Sequence, residues 1–186
     1  MPRRLLLACL TLLPLHLAAQ ETTPDTLDAP ETVQPEPPMT LDRLDTILHA
    51  LDPDLRSNGT MWQLTINEIQ VLVVTDETAD RMRAVTPVAK AETVSPERMQ
   101  RILQANFDTA LDARYAIAKD VLWSAYIHPL KPLEKDQFIS GLGQVVNLAQ
   151  SYGTLYSGGA LQYGGGDSGA LQRALIDDLL KKGEEI

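Results

Sequence analysis

Trp62-Gln63-Leu64-Thr65-Ile66, then Asn67-Glu68, then Ile69-Gln70-Val71-Leu72-Val73-Val74-Thr75 is the run that decides the fold. In its first five residues large apolar side chains alternate with polar ones, the period of a half-buried strand. Its last seven form a nearly continuous apolar, β-branched run, which suits a central strand covered on both faces. Asp76 to Asp80 is a polar turn, and Arg81 to Val88 alternates again, with Pro87 near its end. Three consecutive strands on short turns make an antiparallel meander.

Helical periodicity brackets the meander. Upstream, Leu41, Leu44, Ile47, Leu48 and Leu51 recur at three- and four-residue steps, which predicts a helix over 41–51. Thr40 or Asp42 caps its start, Asp52-Pro53 ends it, and Ser57-Asn58-Gly59 is turn chemistry. Downstream, Ser95-Pro96 opens a second helix, with Ser as N-cap and Pro in the first turn. Met99, Ile102, Leu103 and Phe107 are its expected buried stripe. Ala113–Ala118 and Val121–His128 read as two strands joined at Lys119-Asp120, closed by Pro129 and Pro132. Phe138, Leu142, Val145, Val146, Ala149 and Tyr152 mark a third helix, in which Gly141 and Gly143 point to close packing at some cost in helix propensity. The expected class is therefore α+β: helix, three-strand antiparallel meander, helix, two strands, helix, with the helices packed on a largely antiparallel sheet.

The flanks are of different character. Arg3 and Arg4 precede the apolar run Leu5–Leu17, and Leu17-Ala18-Ala19 offers small residues for cleavage, the layout of a signal peptide over 1–19. The run is too short for a ~30 Å hydrocarbon core. Cys9 stands before most of the apolar residues, unlike a lipidated cysteine. Residues 20–40 alternate proline with Glu21, Asp25, Asp28, Glu31 and Glu36, and read as an extended acidic linker. After a domain over 41–155, residues 156–169 form a glycine-rich linker and 170–186 a short amphipathic tail helix. Leu171, Leu175 and Leu179 supply its stripe, with Lys181 and Lys182 at its C-terminal end. A helix so short needs a docking surface, on its own domain or on a partner.

Charge and motifs exclude several chemistries. The chain carries a net charge of −9, and removal of Arg3 and Arg4 with the leader takes it to −11. Such a chain repels phosphate backbones, so nucleic acid is not an expected partner, and no stable membrane span is expected after cleavage. Cys9 is the sole cysteine, so the exported chain has no disulfide and no thiolate. Gly166-Asp167-Ser168-Gly169 matches the surroundings of a protease serine, but His49 falls in a helix and His128 precedes Pro129, so no triad is expected. The same run lacks the lysine of a phosphate loop. The two remaining histidines lack metal-ligand spacing, and Asp42, Asp45, Asp52 and Asp54 read as caps and a solvated face around the first helix. Nothing pairs Glu68 or Asp76 as acid and base. No catalytic residue, cofactor or metal ligand is assigned.

Three stretches carry a family likeness: the strand pair Trp62–Thr75, the helix start Ser95–Phe107, and above all Ala113–Tyr152, with Asp120-Val121-Leu122-Trp123, His128-Pro129-Leu130 and Phe138-Ile139-Ser140-Gly141-Leu142. Over roughly residues 41–155 the pattern resembles the YbjN-like domain family of bacterial sensory-transduction regulators, which shares the fold of type III secretion chaperones. That resemblance implies a non-enzymatic protein-binding domain, chaperone-like or regulatory, with homodimerisation left open. The export signal departs from the cytosolic chaperones, so the fold and a generic binding role carry over and effector delivery does not. The expected partner is another protein or peptide segment in the cell envelope, periplasmic or secreted. Trp62, Trp123, Tyr126, Phe138 and Tyr152 are the candidate partner-binding face, against core and cross-strand packing for the same aromatics. The alternatives are an envelope enzyme with an unrecognised site and a purely structural domain.

Overall fold

Four helices and six strands, one strand more than expected and otherwise in the expected order, make up the computed structural model, which describes residues 35–108, 110–153 and 170–184. The leader, most of the acidic linker and the glycine-rich run with its Gly-Asp-Ser-Gly motif lie outside the described residues. The elements are α1 (Leu41–Leu51), β1 (Arg56–Ser57), β2 (Met61–Ile66), β3 (Ile69–Asp76), β4 (Arg81–Lys90), α2 (Pro96–Asp108), β5 (Arg114–Ala118), β6 (Val121–Pro129), α3 (Lys135–Ser151) and α4 (Ala170–Gly183). They form one antiparallel sheet in the order β1-β2-β3-β4-β6-β5.

Local chemistry explains the corners. Thr40 caps α1 through its hydroxyl, which accepts from the Arg43 N–H at 3.2 Å. Ser95 does the same for α2 from Arg98 N–H. The β2–β3 and β5–β6 hairpins turn on two residues each, Asn67-Glu68 and Lys119-Asp120, all four at positive φ. Paired positive φ values match the right-handed twist of the flanking strands. β1, absent from the sequence reading, is a two-residue strand beside β2, followed by an Asn58 turn whose side chain accepts from Met61 N–H at 2.9 Å. Asp52, at the end of α1, accepts from Thr65 N–H at 2.7 Å and so satisfies a β2 donor that short β1 does not reach.

Strand alternation sorts the sheet into two faces. Trp62, Leu64, Val71, Val73, Met82, Ala84, Leu122 and Tyr126 point to one side and are buried beneath α1 and α3. Trp62 also donates from Nε1 to Asp45 Oδ1 at 2.7 Å, tying α1 to the sheet. α3 crosses this face at the level of Gly141 and Tyr126. α2 lies along the edge strand β5, where the Asn106 side chain bonds both backbone groups of Tyr115.

Two expectations change at the ends of the domain. The acidic linker does not extend to residue 40: Met39 is buried, and its N–H donates to Lys131 O. Glu36 accepts from the Lys135 N–H at 3.0 Å, capping α3 from outside the helix, and pairs with Arg43. The bond from the α3 amide, opposed by partial burial and helped by Arg43, holds the Glu36 carboxyl below its ordinary range. A lowered carboxyl pKa stabilises the fold above the unfolded value and is lost as pH falls through the folded one. Glu36→Gln should therefore flatten the acid limb of the stability–pH profile below about pH 4.5. Because the group is partly solvated, the difference at neutral pH should stay under about 1 kcal/mol. Urea titrations at pH 3 and pH 7 check this, and an unchanged acid limb would contradict it.

The tail helix docks on its own domain. Ile176 and Leu179 are buried in α4, and Ile176 fits over Gly143 so closely that a Cβ there would lie 2.8 Å from its side chain. Lys135 Nζ caps the other end through Gly183 O at 2.8 Å. Leu175 is half-buried, and the Leu171 side chain lies outside the described ones. No described helix is long and apolar enough to cross a membrane.

Candidate functional site

The second face of the sheet carries no helix among the described residues. Alternation places Met61, Gln63 and Thr65 of β2 there, with Gln70, Leu72 and Val74 of β3, Arg81, Arg83 and Val85 of β4, Trp123, Ala125 and Ile127 of β6, and Arg114 and Ala116 of β5. The expectation that β3 is covered on both sides is corrected here. Val71 and Val73 are sealed, whereas Leu72 and Val74 remain partly exposed on the open side. Only the inner side of β3 is matched by helices, so a continuous apolar run does not imply two covered faces.

Register turns these residues into rows. Arg56, Gln63, Leu72, Val85, Ala125 and Arg114 are successive partners across all six strands. The adjacent row is Met61, Val74, Arg83 and Ile127. Met61 is 41% exposed and Ile127 61%. Leu72, Val74 and Val85 lie between them, half-buried, so the apolar surface is contiguous. A second exposed apolar group, Leu103 and Phe107, lies one turn apart on α2. Periodicity assigns both to the buried stripe of that helix. Of that stripe the structure buries Ile102, joined by Ala105 rather than by Leu103 and Phe107, because α2 meets the domain at the β5 edge and presents a narrower face than its apolar content allows.

The five aromatics expected to face a partner do not share a surface. Trp62 is 1% exposed, Phe138 0% and Tyr126 5%, and all three are core. Trp62 and Tyr126 point to the helix-covered side, and Phe138 sits on the inner side of α3, so that reading is corrected for them. Tyr152 is partly buried, edge-on to Tyr115 and beneath the Arg98 guanidinium. Trp123 alone lies on the open face, with Nε1 donating to Ala118 O at 2.9 Å. The open face was missed because its members are mostly aliphatic and each reads locally as core. The one available signal was Arg81-x-Arg83 on a strand otherwise alternating toward burial.

A cleft of about 560 Å³ opens beside α3 and α4, lined among others by Asp112, Tyr126, His128, Asp136, Ser140 and Arg173. Burial, with Asp112 nearby, raises the Tyr126 phenol to about 12, so it stays neutral. Several of the polar groups are engaged within the fold. Ser140 Oγ accepts from Gln144 Nε2, and Gln144 Oε1 holds the N–H groups of Asp112 and Ala113. His128 Nδ1 contacts Pro129 O and the ring stacks on Tyr126. No described nucleophile is hydrogen-bonded to a base in this cleft, and no described cluster of His, Cys, Asp or Glu has the makings of a metal site.

No protein-family model matches the chain, and no curated protein matches its sequence. Solved structures do. The type III secretion chaperone SycH of Yersinia pestis, in complex with a fragment of YscM2, is similar at 17% identity and TM-score 0.44, over 57% of this chain and 97% of that one. The ExsC–ExsE complex is similar at 13% identity and TM-score 0.47, over 60% and 92%. The HopA1–SchA chaperone–effector complex is similar at 8% identity and TM-score 0.46, over 59% and 91%. No residue role passes from them to this chain.

Proposed function

We propose that this chain is a non-enzymatic, YbjN-like protein-binding module that works after export, in the bacterial cell envelope. The observation that carries the binding role is the open sheet face: contiguous apolar side chains, solvent-accessible, with no described helix laid across them. A stable monomer gains nothing by leaving such a face uncovered, whereas a partner gains hydrophobic contact without any catalytic machinery. Export is supported by the order of charge, apolar run and small residues over 1–19.

A photo-crosslinking residue at Ile127 tests the proposal in living cells. Adducts of defined mass should form from position 127 and not from Glu97, an exposed position on α2. Fractionation should place them in the envelope, with the chain shortened near Ala19. Ile127→Asp should abolish the adducts formed from a probe at Met61, while changing stability by no more than about 0.5 kcal/mol. Absence of adducts at both Ile127 and Met61 would sink the binding role, and a full-length cytosolic chain would sink export.

A further inference from the structure

The chain is acidic, yet its open face is basic. Arg56 and Arg114 close the two ends of the six-strand row, and Arg81 and Arg83 project from β4 between them. All four are exposed, and none takes part in an ion pair among the described residues. The acidic groups near them are Asp76, the cross-strand partner of Arg81, whose Oδ1 is engaged by Ala79 N–H, Glu77 in the β3–β4 turn, and Asp112 and Asp136, which line one cleft with Arg114. With strands ~4.8 Å apart, the row from Arg56 to Arg114 spans roughly 24 Å. Its middle is Leu72, Val85 and Ala125, with Val74 and Ile127 alongside. Positive charge is thus spaced around an apolar centre, on a molecule whose remaining surface must carry the whole acidic excess.

We infer that this face selects an acidic amphipathic segment of a partner protein, whose apolar side chains cover Leu72, Val74, Val85 and Ile127 while its carboxylates meet Arg83, Arg56 and Arg114. The inference rests on the reading of this face as the protein-binding surface, and adds the chemistry of the partner. Arginine suits the task because its fork pairs with carboxylates while its stem lies over apolar neighbours. Arg83 is flanked in its row by Val74 and Ile127, so its carboxylate pairing would sit beside buried apolar contact, where charge selects among partners most strongly. The net charge of the chain argues the other way: without a local basic face, a chain at −9 would prefer a basic peptide.

That opposition makes the test sharp. The full chain is titrated by fluorescence anisotropy into three labelled 16-residue peptides with the same leucine stripe and with Glu, Gln or Lys at the polar positions, and into phosphatidylglycerol vesicles. The Glu peptide should bind at least tenfold tighter than the Lys peptide, and tighter at 50 mM than at 500 mM salt. Arg83→Glu should weaken the Glu peptide about tenfold and Arg83→Gln less, with both variants melting like the parent. Equal binding of the Glu and Gln peptides, abolished by Ile127→Asp, would overturn the acidic preference and leave the binding face standing. Failure of every peptide, or indifference to Ile127→Asp, would overturn the face itself. Tighter binding of the Lys peptide, or binding to vesicles alone, would also overturn the inference, the last in favour of an anionic lipid surface.

Discussion

Phe138→Ala should lower the unfolding free energy by about 3–5 kcal/mol, enough to unfold much of the population of a domain of ordinary stability. Phe138 is wholly buried in the first turn of α3, among Leu133, Ile139 and Leu142. Truncation removes the transfer energy of a large ring and leaves a cavity that two packed layers cannot close. Urea unfolding monitored by the two tryptophans would show the midpoint move with little change in slope. Ile127, equally apolar but 61% exposed, should tolerate Ala at almost no cost. The contrast separates the core aromatic from the open face. A Phe138→Ala chain within about 1 kcal/mol of the parent would mean that α3 does not seat as described.

Gly141→Val should cost about 3 kcal/mol, although glycine is the poorer helix former. Replacing a mid-helix glycine normally recovers up to about 1 kcal/mol of propensity. Here a Cβ would lie 2.5 Å from two carbons of the Tyr126 ring, closer than side chains pack. Tyr126 is itself buried and stacked on His128, so the ring can move aside only by giving up that packing, and overpacking wins over propensity. Combining Gly141→Val with Tyr126→Ala should recover about 1–3 kcal/mol relative to the sum of the single losses. Additive losses in that cycle would disprove the contact. Gly143, pressed by Ile176 of α4, should behave likewise in its own pair.

Much of the domain was legible from local patterns. The helix over 41–51, the meander, the Ser95 cap and the Lys119-Asp120 hairpin all depend on residues a few positions apart, and a short window contains them. The close-packing role of Gly141 and Gly143 was also readable, since two glycines cost too much inside a helix stripe without a reason. The candidate site was legible far less. Trp62 and Phe138 were strong aromatic signals and became core. Leu103 and Phe107 were expected inside and lie outside, while Leu72, Val74 and Ile127 look like core residues in sequence and line the open face. Apolar character and period do not say what is available to cover a side chain.

By itself, the sequence determined the α+β class, the antiparallel hairpins, the caps and the acidic balance, because each is set by short-range sterics, hydrogen bonds or simple charge. Only the tertiary structure decided that β6 inserts between β4 and β5, that α4 folds back onto Gly143, and that the described covering helices share one side of the sheet. Those are pairings between segments tens of residues apart, chosen by register and by competition for a limited apolar surface. The same competition leaves Arg83 and its apolar neighbours facing solvent among the described residues.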